Sequence, residues 1–145
     1  AFHYYSTGGT NSAASNGADG VALRGWWRPD ETGTAIPSVS VGYDVMTFDP
    51  TAGFTEGYGY AVSLNWSDIF QADDTIGVSF GQPIKGTEHT DGTTKDVDPF
   101  IWELYYSFKP NDSIEVVPGV FGGSDVDTAT NQDLFGAVLT TVFKF

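Results

Sequence analysis

Apolar and polar side chains change places at every second position through most of this chain. Residues 20–29 set Val21, Leu23 and Trp27 against Ala22, Arg24, Trp26 and Arg28. Residues 36–46 set Val39, Val41, Tyr43 and Val45 against Ser38, Ser40, Gly42 and Asp44. The same alternation runs through 57–67, 75–82, 99–109, 113–121 and the terminal stretch from Leu134 to Phe145, and more briefly through 1–6. A period of two places alternate side chains on opposite faces of a strand. The pattern therefore predicts an all-β protein of about eight strands. Between them lie Gly-, Asp- and Thr-rich connectors, which carry turn chemistry rather than periodicity.

The connectors following residues 6, 46, 82 and 121 read as long, and those following 29, 67 and 109 as short. Such alternation fits an antiparallel up-and-down barrel whose long loops gather at one end. With the C-terminus at the periplasmic end, those loops lie outside the cell. The apolar face carries aromatic residues near the strand ends: Trp66, Phe108, Phe143 and Phe145 at one, Tyr58, Phe100, Trp102 and Phe135 at the other. Amphipathic rings collect where a bilayer meets water. Two aromatic rims flanking a Val/Leu/Ala band thus predict strands that cross a membrane. The opposite face is small or polar and bears Arg24, Arg28, Asp44, Asn65, Glu103, Tyr105, Glu115 and Lys144. In a barrel these residues line a water-filled pore. An arginine row facing acidic residues would set a field across it.

Composition narrows the classes. With 145 residues there is room for a single domain. A formal charge of -13, from 19 acidic against 6 basic residues, argues against nucleic-acid binding. No cysteine is present, so neither a disulfide frame nor a thiolate metal site is expected. Catalytic chemistry finds little footing: the two histidines, His3 and His89, lie in no known motif. Glu103 and Glu115 could form a carboxylate pair if adjacent strands bring them close. The segment 125–133 departs from a calcium loop at its sixth and twelfth positions. No metal, cofactor or reaction is expected.

Three stretches carry a resemblance: GYGYAVSLNWSDIFQADDTIGVSFGQP, PFIWELYYSFKPNDSIEVVPGVF and the terminal QDLFGAVLTTVFKF. In order and spacing the chain resembles the C-terminal half of the carbohydrate-selective (OprB-type) outer-membrane porins, in the branch of cyanobacterial major porins. The resemblance implies that residues 1–145 are the C-terminal part of a trimeric barrel of about sixteen strands. The preceding strands and a cell-wall-binding (SLH-type) domain would then lie outside this sequence. It implies passive diffusion of ions and small hydrophilic solutes, sugars included. The location would be the outer membrane, and the partners lipid, lipopolysaccharide, two further copies of the chain and the outer-membrane assembly machinery. Phe145, with Phe143 two residues before it, looks like the terminal aromatic signal for that machinery.

Two other architectures fit the alternation. One is a secreted β-sandwich that binds sugars on Trp26, Trp27 or Trp102. Its apolar face would be covered by protein. The other is a small closed eight-stranded barrel with a structural role. Its lumen would have to be plugged by side chains, and many of the inward residues are Gly, Ser and Ala, which fill space poorly.

Overall fold

A computed structural model of the chain describes residues 18–48, 54–89, 98–126 and 133–145. It has seven strands: β1 Ala18–Trp27, β2 Ser38–Phe48, β3 Phe54–Ser67, β4 Thr75–His89, β5 Phe100–Asn111, β6 Ile114–Ser124 and β7 Leu134–Phe143. They form one antiparallel sheet in sequence order, β1 to β7. Each strand pairs with its neighbours in the chain, so every connection is a hairpin. The expected first strand, 1–6, lies outside the described residues.

β1 and β7 are edges, so the sheet is not closed among the described residues. No second sheet packs on it there either, which removes the β-sandwich as the arrangement of these strands. No hydrophobic side chain is buried among the described residues. A sheet that packs a water-soluble core would bury one face of such strands.

Cross-strand partners share a face, so the register shows what each face holds. On one side lie Val21, Leu23 and Trp27, then Val39 to Val45, Tyr58 to Trp66, Ile76 to Phe80, Phe100 to Phe108, Ile114 to Val120 and Phe135 to Phe143, counting alternate residues. The apolar positions form one unbroken face across seven strands, as the periodicity predicted. The other face is small or polar over most of β2 to β4, Met46 excepted. At β6 and β7 it turns apolar, with Val117, Phe121, Leu134, Val138 and Val142. The small or polar character expected of that face does not extend to these positions.

The expected alternation of long and short connectors is also corrected. Only residues 49–53 separate β2 from β3, whereas 28–37 separate β1 from β2. β4 runs seven residues past its expected end at Gln82, through Pro83 and on to His89. Pro83 is tolerated because the β4–β5 pairing stops at Gly81, and beyond it β4 pairs only with β3. A residue without an N–H fits a strand segment with one open side. The shift in β3–β4 register between Tyr58 and Tyr60 falls at the same level. Gly81 sits beside it, where an added Cβ would lie 2.2 Å from the Tyr60 carbonyl oxygen.

Candidate functional site

Two adjacent rows run across the polar face. Pairing joins Trp26, Ser40, Ser63, Ser79, Glu103 and Phe121 in one, and Ser38, Asn65, Gly77, Tyr105 and Gly119 in the next. The Ser63 and Ser79 hydroxyls are 2.9 Å apart and share a hydrogen bond. The Tyr105 hydroxyl donates to Asn65 Oδ1 at 2.8 Å, bridging β5 to β3 over Gly77. Its ring covers Gly77 so closely that a Cβ there would fall 2.1 Å from Tyr105 Cε1. That glycine makes the bridge possible.

Of the residues expected to line a pore, Arg24, Asp44, Asn65, Glu103, Tyr105 and Glu115 share this face within strands. Arg28 and Lys144 do not lie in strands: one follows β1 and the other follows β7. Lys144 is tied there by its backbone N–H, which donates to the Ser113 carbonyl at 2.9 Å.

The charges are partly matched. Arg24 Nη2 donates to Asp44 Oδ1 at 2.7 Å across β1 and β2. Lys109 Nζ is 3.6 Å from Asp73 Oδ2. Glu115 Oε1 accepts from the Ser107 hydroxyl at 2.7 Å. Glu103 has no hydrogen-bonding partner and no cation among the described residues. The possible carboxylate pair is excluded. Glu103 stands opposite Phe121, six residues along β6 from Glu115, which is about 20 Å of strand.

The apolar face carries the aromatic rims. Tyr58, Trp66, Phe100, Trp102, Phe108, Phe135 and Phe143 all lie on it. Tyr43 and Phe80, not expected in the rim, join it through Tyr43–Tyr58 and Phe80–Phe100 ring contacts at 6.3 and 6.4 Å. Trp102 and Phe135 continue it at 6.2 Å. At the other end Tyr106 stacks on Phe108 at 5.4 Å and meets Phe70 edge-on at 5.9 Å. Tyr43, Phe80 and Tyr106 obey the same period of two as their neighbours, so the alternation alone could have found them. Phe145 lies just past β7 and is fully exposed.

The lower rim follows a rule. Trp27 pairs with Val39 and Val39 with Leu64, so Trp66 lies two residues further along. Trp66 pairs with Ile76 and Ile76 with Tyr106, so Phe108 lies two further again. Phe108 pairs with Val116 and Val116 with Thr141, so Phe143 lies another two further. The line thus climbs one residue per strand. With about 3.3 Å per residue and 4.8 Å between strands, it crosses the sheet at about 35° to the perpendicular. The upper rim is parallel to it over β5 to β7: Phe135 is level with Trp102, two residues on from Phe100. Three strands carry aromatics eight residues apart, as Tyr58 and Trp66, Phe100 and Phe108, Phe135 and Phe143.

The turn joining β3 and β4, residues 68–74, anchors the lower end. Asp74, 1% exposed, accepts from the backbone N–H groups of Ile69, Phe70 and Gln71 at 2.8, 3.0 and 3.1 Å. It also accepts from the Tyr106 hydroxyl on β5 at 3.0 Å. Burial pushes its pKa up, but these four donors outweigh burial and hold the carboxyl below its ordinary value. Asp68 is likewise held low, by the Thr32 side chain and then by the Asp73 N–H. Asp68 and Asp73 adopt φ of 59° and 63°, the left-handed region that Asp tolerates better than most residues. The Gly33 N–H donates to the Ser67 carbonyl at 2.8 Å, and Trp66 Nε1 donates to the Ala35 carbonyl at 2.9 Å. The β1–β2 connection is thereby fastened to the β3–β4 turn. The flanking aspartates of SDIFQADD were the available signal, since Asp closes turns by bonding nearby backbone.

Among the described residues no group of His, Cys, Asp or Glu could hold a metal ion. His89 ends β4, while His3 and most of the segment 125–133 lie outside those residues. No family model matches this chain, and neither a curated protein nor a solved structure matches it.

Proposed function

We propose that this chain forms part of the wall of an outer-membrane porin, passing ions and small hydrophilic solutes by passive diffusion through a water-filled barrel. The observation that carries this reading is the oblique aromatic rim on an uncovered apolar face. If the rim marks a flat interface, the strands must tilt by about 35° from its normal, and barrel strands in outer membranes tilt by about 35–45°. A closed barrel whose register also advances by one residue per strand has nearly the same tilt, about 36°. A surface that merely met water would have no reason to place Trp27, Trp66, Phe108 and Phe143 on one straight line.

Lipid contains nothing to bond the open backbone groups of β1 and β7, so those edges must meet further strands. We read the complete barrel as one of about sixteen strands, trimeric, with lipid and lipopolysaccharide on its apolar face and delivery by the outer-membrane assembly machinery. The polar face would then be the lumen wall. Passage involves no bond-making and no cofactor. The net charge of -13 would concentrate cations at the mouths.

The test is reconstitution of the detergent-extracted native polypeptide into a planar bilayer. The reading expects stepwise ohmic conductance from a heat-sensitive oligomer whose subunit mass is several times 15.6 kDa. A monomer that stays soluble without detergent and gives no conductance would overturn it.

A further inference from the structure

We infer that Glu103 sets a preference for cations over anions in the channel. This deepens the reading of the polar face as a lumen wall and rests on it. Each cation that a strand carries on that face is already matched. Arg24 is bonded to Asp44 at 2.7 Å, and Lys109 lies 3.6 Å from Asp73. Two strand-borne carboxylates of that face have no cation among the described residues, Glu103 and Glu115.

The two differ in setting. Glu115 bonds the Ser107 hydroxyl and stands opposite Val142, at the end where Lys144 follows β7. Glu103 stands between the rims, three residues from Phe100 and five from Phe108. Its cross-strand partners are Ser79 and Phe121, neither of which bears charge. Among the described residues the two cations outside strands, Arg28 and Lys144, lie past the lower rim at Trp27 and Phe143. Phe108, the rim residue on β5 itself, is about 16 Å along the strand from Glu103, beyond the Debye length of about 10 Å at 0.1 M salt. Among the described residues the field in mid-wall is thus that of one carboxylate with no cation beside it. A mobile cation passing Glu103 is attracted and an anion repelled.

The experiment is the reversal potential of the native channel in a planar bilayer under a potassium chloride gradient. The wild type should pass potassium more readily than chloride. Glu103→Gln should lower the permeability ratio by about two- to fivefold near 0.1 M salt, from a screened unit charge several ångströms from the ion path. Arg24→Gln should move the ratio the opposite way, because Asp44 loses its counter-charge. That opposite sign separates field from misfolding, and it keeps the test decisive if E103Q inserts poorly. Both effects should shrink in 1 M salt, where the Debye length is about 3 Å. An anion preference in the wild type, an unchanged ratio in E103Q, or a fall in R24Q would overturn the inference. No conductance from the wild type would overturn the channel reading, and this inference with it.

Discussion

A positive charge at position 139 separates lipid from water on the apolar face. Leu139 is midway between Phe135 and Phe143 on β7 and is 69% exposed in the chain alone. Four residues are about 13 Å of strand, and a tilt of about 35° reduces that to about 11 Å of depth. An apolar band of about 25 Å has its midplane about 12 Å from either rim. On the porin reading Leu139 would therefore be at the midplane. Arginine there should cost about 2–4 kcal/mol in a bilayer. The adjacent Thr140 faces the other way and pairs with Val117. Arginine at 140 should cost less than about 1 kcal/mol, since a water-filled lumen would hydrate it. The assay is denaturant unfolding of protein folded into phospholipid vesicles, comparing Leu139→Arg with Thr140→Arg at constant m-value. Equal midpoints, or a larger loss at 140, would refute the assignment of faces. A large loss at 139 in protein that folds without lipid would instead point to a covering protein layer.

The remaining predictions concern the wall and its lower turn. Gly77→Ala should destabilise by about 1–3 kcal/mol as an overpacked site, because its Cβ would meet the Tyr105 ring and break the bond to Asn65. Most of that loss should vanish in a Tyr105→Ala background, and a strictly additive double mutant would contradict the contact. Asp74→Asn should lower stability at pH 7 by removing the charge that three backbone N–H groups and Tyr106 bond. Because its folded pKa lies below its ordinary value of 3.8, the contribution is complete above that value and is lost as pH falls through the lower folded one. Unfolding midpoints between pH 5 and pH 2.5 should therefore fall more in the wild type than in Asp74→Asn. Parallel curves would show that the turn does not depend on the ionised carboxylate.

The alternation was legible because both sheet faces impose the same strict period. Seven of the expected strands reappear with their faces as read, and the register places Val39 against Leu64 and Leu104 against Val120, apolar against apolar. The ends were less legible. Pro83, Lys85 and Glu88 read as loop residues, yet β4 continues through them because only β3 needs its hydrogen bonds there. Local composition says nothing about which side of a strand is paired. The rim line was also invisible, since its slope exists only once register relates one strand to the next. So was the pairing of Arg24 with Asp44: nothing local joins residues twenty positions apart. The separation of Glu103 from Glu115 follows likewise from the β5–β6 register, which a two-residue turn sets at 112–113. Asp74 was present in the sequence as one of two adjacent aspartates, and only the fold distinguishes the buried cap from its exposed neighbour Asp73.

The central claim is that the apolar face meets lipid while its opposite meets water. The chain has no cysteine, so single cysteines can be placed along β2 and tested in vesicles with a membrane-impermeant thiol reagent that can enter the channel. Val41 and Val45 are 47% and 42% exposed in the chain alone and share the apolar face. Ser40 and Asp44 share the other. Cysteines at 40 and 44 should react and those at 41 and 45 should not, with all four reacting once the protein is unfolded in denaturant. Reaction at 41 and 45 as fast as at 40 and 44 in intact vesicles would contradict the account.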